Sequence, residues 1–97
     1  MRNPALTLHW RIIDGGALQF RCWDDEWVVY NTLTGDAHLL EAATVEILLA
    51  LQRNPSDMLS LARFLADSWQ CEMNEDFLEE IDRTLSDMRA LSLVESR

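Results

Sequence analysis

The 97 residues predict a single domain, residues 1–97, and the apolar share of 48% is enough for a buried core, which argues against a disordered chain. The 17 acidic residues outnumber the eight basic ones, and the resulting net charge of −9 argues against a nucleic-acid partner. No stretch is long and apolar enough for a membrane span or a signal peptide, so we expect a soluble cytoplasmic protein with no membrane partner.

The first predicted elements are an N-terminal extension and two strands. In the extension, residues 1–16, Trp10 and the isoleucines that follow it form either a short leading strand or a strap on the core. Apolar and polar residues alternate over residues 17–23, which is the period of a strand, and residues 26–31 are rich in strand-forming types. These two segments predict an antiparallel hairpin.

The loop between these strands, Asp24-Asp25, sets the register of the hairpin. A two-residue loop places Phe20 opposite Val29, so that one face of the sheet is apolar and the other is mixed. Trp23 falls on the mixed, outer face, where it is either a large edge residue or part of a contact surface.

A second hairpin leads into the third predicted strand, Asp36–Leu40, through a turn in which Gly35 suits a left-handed position. The register of this strand depends on the length of the loop. A three-residue loop ending at Gly35 sets Val29 opposite Leu39, and a four-residue loop sets Val29 opposite His38. We favour the arrangement in which His38 points outward, toward a partner.

Three helices are predicted next, over residues 42–53, 58–69 and 75–91, from apolar residues at helical spacing. Asp57 and Asn74 stand where the second and third helices need an N-terminal cap. The predicted order is β-β-β-α-α-α, an α+β, winged-helix-like domain in which a three-stranded antiparallel sheet is followed by a three-helix bundle.

Two short stretches are predicted to pack on the core beside these elements. Leu40 and Ala43 hold the corner between the third strand and the first helix. Near the end of the chain, Leu93-Val94 packs back as a short strand.

No set of residues indicates catalysis or a cofactor. His9 and His38 are the two histidines, and no metal-binding or phosphate-binding motif contains them. Cys22 and Cys71 are too far apart for a CxxC motif, so we expect both to be small, buried or half-buried apolar residues. We therefore expect no catalytic residue, no metal ligand, no cofactor and no enzymatic activity.

The acidic residues concentrate in the segment 72–87, where seven carboxylates accompany Arg83. They form either a solvated helix face or a surface that attracts a basic partner. A winged-helix DNA-binding regulator is an alternative, but its recognition helix would be this acidic one, which disfavours it.

A resemblance to a known family lies in three stretches: EWVVYNTLTGDAHLLEAATVEILLAL, then PSDMLSLARFLA, then ALSLVE. Over about residues 17–95 the chain resembles the small PqqD-like proteins, named after the peptide chaperone of pyrroloquinoline quinone biosynthesis. It is most similar to the branch found beside HPr-kinase-related proteins, the HPr-rel-A system. Where the family commonly has Gly before the final Leu-Val, this chain has Ser92.

The resemblance implies a peptide-binding function. PqqD-like domains bind the leader of a ribosomally made precursor peptide and deliver it to a modifying enzyme. The leader adds as a further strand to the third strand and lies beside the third helix. The strand residues so implied are Asp36, Ala37, His38, Leu39 and Leu40. The helix residues so implied are Leu78, Asp82, Leu85 and Arg89, although Leu85 is equally a core residue.

Two further partners are compatible with this interpretation. A regulatory subunit of an HPr-kinase-like enzyme overlaps with the peptide chaperone, since such chaperones dock on their enzymes. An open strand edge also favours self-association, so a homodimer through Asp36–Leu40 is an alternative to peptide binding.

Overall fold

The described part of the chain, residues 9–13 and 18–96, forms a small α+β domain in this computed structural model. It contains two three-stranded antiparallel sheets and three helices. The strands are β1 His9–Ile12, β2 Leu18–Trp23, β3 Glu26–Asn31, β4 Asp36–Leu40, β5 Ser56–Asp57 and β6 Val94–Ser96. The helices are α1 Ala42–Arg53, α2 Met58–Trp69 and α3 Glu75–Ala90.

The hairpin β2–β3 has the predicted two-residue turn. Asp24 and Asp25 have φ angles of 48° and 66°, so two aspartates adopt the left-handed conformations that this turn needs without a glycine. The register pairs Phe20 with Val29, as predicted. Val29 is fully buried, and it marks the face of the sheet β2-β3-β4 that packs on the core.

The turn between β3 and β4 has the longer of the two predicted loops. The Gly35 N–H donates to the Asn31 carbonyl oxygen over 2.8 Å, with Gly35 at a φ of 80°. This turn sets Val29 opposite His38, so the prediction that His38 points outward is wrong. Residues opposite each other in a ladder share a face, and it is Leu39 that points outward, 67% exposed.

The second sheet, β5-β1-β6, was not predicted as a sheet. Trp10, at its centre, lies opposite Ser56 on one side and Ser96 on the other, and it is 2% exposed. The stretch around Trp10 is therefore a strand and not a strap, and the short strand expected near Leu93 is β6. The predicted three-stranded sheet is present as β2-β3-β4, but because the strands are divided between two sheets, the β-β-β-α-α-α arrangement is not confirmed.

The helices begin and end close to the predicted positions. The Asp57 carboxylate accepts a hydrogen bond from the Ser60 N–H over 2.7 Å, and the Asn74 side chain accepts one from the Phe77 N–H over 2.9 Å. Both are N-terminal caps of the predicted kind. Among the described residues, no helix combines the length and the apolar character that a membrane crossing requires.

The core lies where the apolar stripes of the helices meet the sheets. Its fully buried residues include Leu48 and Leu51 of α1, Leu65 of α2 and Leu85 of α3. Ala43 is exposed, contrary to the prediction, because α1 turns Val45 toward the core instead.

Both cysteines are exposed, which corrects the prediction that they are buried. On the inner face of β2, burial decreases from Leu18 through Phe20 to Cys22 as the strand approaches its hairpin turn. Cys71 lies in the loop that joins α2 to α3. Neither position is reached by the packing of the core.

Candidate functional site

The edge strand β4 is the most accessible of the predicted binding elements. In the sheet β2-β3-β4 it pairs with β3 on one side, and no described strand pairs with it on the other. An unpaired edge exposes backbone donors and acceptors that another extended chain can use.

The register identifies which backbone groups of β4 face outward. The two-residue turn makes Trp23 and Glu26 a hydrogen-bonded pair, and such pairs alternate along an antiparallel ladder. Every second residue of β3 from Glu26 therefore bonds to β2, and Val29 and its alternate neighbours bond to β4. Since Val29 lies opposite His38, the N–H and C=O groups of Ala37 and Leu39 point away from the sheet.

The side chains of β4 alternate between two faces. Those of Ala37 and Leu39 lie on the outer face, opposite Tyr30 and Val28. His38 and Leu40 lie on the inner face and are half-buried, and Asp36 is exposed at the start of the strand. The imidazole Nε2 of His38 is buried, and no described residue forms a hydrogen bond with it.

The helix face on α3 implied for peptide binding is less exposed to solvent than the strand β4. Leu78 and Asp82 are half-buried, whereas Leu85 is fully buried in the core. Leu85 is therefore a core residue, which was the alternative given for it, and it is not accessible to a peptide in this structure. Asp82 remains accessible on the same helix.

Arg89, the last residue of that face, is engaged with the other sheet. Its guanidinium lies over the Trp10 ring, 5.4 Å from the centroid, and donates to the Ser96 hydroxyl oxygen over 3.1 Å. The C-terminal end of the predicted helix face therefore contacts β1 and β6. The structure places Arg89 against this sheet and not beside β4.

A groove at the C-terminal end of β4 was missed by sequence reasoning. It has a volume of about 310 Å³ and is lined by Asp25, Glu26, Leu39, Leu40 and Glu41. No described arginine forms an ion pair with these three carboxylates. The sequence analysis identified only the larger acidic segment on α3. Glu26 begins β3 and Glu41 directly follows β4, and these two positions were a signal for this second acidic surface.

The outer face of the same sheet carries a shallow depression. Its volume is about 320 Å³, and its lining residues are Gln19, Arg21, Trp23 and Tyr30. Trp23 is 54% exposed, which agrees with its predicted position on the outer face. Whether it forms a contact surface stays a prediction.

Asn31 is a positioning residue that sequence reasoning also missed. It is the one buried polar side chain among the described residues, 1% exposed. Its Oδ1 accepts hydrogen bonds from the N–H groups of Leu33 and Thr34, and its Nδ2 donates to the Ser92 carbonyl oxygen. These bonds fix the turn that sets the register of β4.

The described residues contain no group of three or more histidine, cysteine, aspartate or glutamate side chains that could hold a metal ion.

Comparisons with models of protein families, with curated proteins and with solved structures found no match for this chain. The resemblance to PqqD-like proteins therefore stays a prediction from the sequence. The function has to be inferred from the geometry of the described residues.

Proposed function

We propose that this protein is a non-catalytic peptide-binding domain that receives an extended segment of a precursor peptide on β4 and presents it to a modifying or kinase-like enzyme. The observation that carries the proposal is the open edge of β4, where the backbone groups of Ala37 and Leu39 point outward. A peptide that adds to this edge forms main-chain hydrogen bonds irrespective of its sequence.

Backbone pairing alone is too weak to hold a peptide on this strand. Ala37 and Leu39 offer two N–H and two C=O groups. At about 1 kcal/mol net for each hydrogen bond, they contribute about 4 kcal/mol. Association itself costs about 4–15 kcal/mol, so side-chain contacts have to supply the remainder. The exposed Leu39 side chain and the groove beside it are the nearest source of such contacts.

The chain order supports the relation to PqqD-like proteins. The sheet β2-β3-β4 precedes the three helices, as the resemblance implies for a winged-helix-like domain. We interpret the sheet β5-β1-β6 as an addition to that arrangement. On this interpretation the modifying enzyme is the second partner, and the peptide is its substrate.

Selection of peptides from a random display library, followed by amide hydrogen exchange on the complex, tests the proposal. The selected peptides are expected to slow exchange at the Ala37 and Leu39 amides, because these become hydrogen-bonded only when a strand is added. Selected peptides that leave both amides unprotected and protect another surface, such as the groove between α1 and α2 around Phe64, would overturn it.

A further inference from the structure

The groove at the end of β4 indicates the chemistry of the peptide that the proposed function requires. Leu39 and Leu40 form the apolar part of its lining, and Asp25, Glu26 and Glu41 form the acidic part. Lysine and arginine combine a flexible aliphatic stem with a cationic end, so their side chains match both parts of this lining. No other natural side chain does so.

The positions of these groups favour a side chain that arrives from the strand edge. Leu39 lies on the outer face opposite Val28, and the next pair in the ladder is Trp27 with Leu40. One further step in the same register brings Glu26 opposite Glu41. Leu39, Glu26 and Glu41 therefore follow one another along the outer face. A strand that bonds to the backbone of Leu39 carries its own outward side chains along the same line.

We propose that the peptide added to β4 carries a lysine or arginine whose stem packs on Leu39 and whose cation lies between Glu26 and Glu41. This inference rests on the proposed function and specifies its ligand. The net charge of −9 acts in the same direction, since it attracts a basic peptide and accelerates its association at low ionic strength.

The same charges disfavour a second copy of the chain as the occupant. Antiparallel pairing of two β4 strands through their outward groups places Ala37 of each copy opposite Leu39 of the other. That arrangement places Asp36 of each copy opposite Leu40 of the other, so the second copy brings no cation to Glu41. Each copy also carries the same net charge of −9.

The test compares peptides and protein variants in one design. Among library peptides that protect the Ala37 and Leu39 amides, one position is expected to be enriched in lysine or arginine. The variant with Glu26→Gln and Glu41→Gln is expected to bind such a peptide about three- to tenfold more weakly, as for two exposed ion pairs. For the same peptide with its basic residue replaced by glutamine, the variant and the wild-type protein are expected to have equal affinities.

The control variant, Glu79→Gln with Glu80→Gln on the exposed face of α3, removes the same charge elsewhere. Glu41 makes no side-chain capping bond to α1, so its replacement leaves the start of that helix intact. Equal weakening by the control and by the groove variant would overturn the proposed basic residue, as would β4-protecting peptides without basic enrichment. Both results leave the strand-addition function standing. A wild-type dimer with protected Ala37 and Leu39 amides at micromolar concentration would instead identify the second copy as the occupant.

Discussion

The side chain of Asn31 donates a hydrogen bond from Nδ2 to the carbonyl oxygen of Ser92 over 3.2 Å. Asn31 ends β3, and Ser92 lies between α3 and β6, so the bond links positions 61 residues apart in the chain. The Oδ1 atom of the same side chain holds the N–H groups of the β3–β4 turn. One buried amide thus connects the turn that sets the register of β4 to the end of α3.

Replacement of Asn31 by alanine is expected to lower the free energy of unfolding by about 2–3 kcal/mol, because it removes three hydrogen bonds at a buried position and leaves backbone groups without partners. Urea denaturation followed by circular dichroism measures this change. The matched control is Asn54→Ala, an exposed asparagine at the end of α1, for which a change within about 0.5 kcal/mol is expected. Equal effects of the two substitutions would contradict the role assigned to Asn31.

Proline substitutions at two adjacent positions test the direction of the β4 backbone. Leu39→Pro removes an outward N–H, so it is expected to abolish binding of a selected peptide while the thermal unfolding temperature changes little. His38→Pro removes an N–H that bonds to β3, so it is expected to destabilise the domain by roughly 2–3 kcal/mol. The reverse order of stabilities in a thermal melt would show that the assigned alternation is wrong.

The sequence predicted the helices well because their signals are local. Apolar spacing set the stripes, and the caps at Asp57 and Asn74 depend on residues three positions away. The sheet β5-β1-β6 could not be predicted in this way. Its strands are two to four residues long and come from the two ends of the described chain and from the α1–α2 connection. Such short, non-local pairings leave no periodic pattern.

For the candidate site too, the sequence predicted the features that depend on local signals and missed those that depend on tertiary contacts. The edge strand Asp36–Leu40 followed from turn and strand signals, but the direction of His38 depended on whether the loop has three or four residues. The bonds that Asn31 makes within the turn select the longer loop, and the sequence alone does not reveal them. By its spacing, Leu85 fits both the core stripe of α3 and the helix face implied for peptide binding. Its complete burial against neighbouring elements assigns it to the core.

The pH dependence of stability is expected to include a contribution from Asp57. The hydrogen bond from the Ser60 N–H is the main cause that lowers the pKa of the Asp57 carboxyl below its ordinary value. A depressed folded-state pKa means that this stabilisation is fully present above the unfolded-state pKa of about 3.9 and is lost as the pH falls through the lower, folded-state value. Asp57→Asn keeps a capping side chain but does not titrate, so its stability is expected to fall less than that of the wild type between pH 5 and pH 2. Parallel stability curves in urea titrations at these pH values would contradict this assignment.

Gln70 follows α2 and Ser92 follows α3, and both have the left-handed backbone conformation that glycine adopts more easily. Their φ angles are 54° and 60°, respectively. After α3, the Leu93 N–H donates to the Met88 carbonyl oxygen and the Ser92 N–H to that of Arg89, which is the Schellman arrangement. The absence of the glycine common in PqqD-like proteins therefore does not prevent this way of ending the helix.

Replacement of Ser92 by glycine is consequently expected to stabilise the domain by about 0.5–1 kcal/mol, since it relieves the left-handed strain of a residue with a Cβ atom. Gln70→Gly, at the corresponding position after α2, is expected to do the same. The contrasting substitution Ser92→Val places a β-branched residue at this φ angle and is expected to destabilise by more than 1 kcal/mol, roughly. The bond from Asn31 to Ser92 involves the backbone carbonyl, so both substitutions preserve it and the comparison isolates the conformational strain. Urea midpoints that fall for Ser92→Gly, or that rise for Ser92→Val, would show that strain at this position does not limit stability.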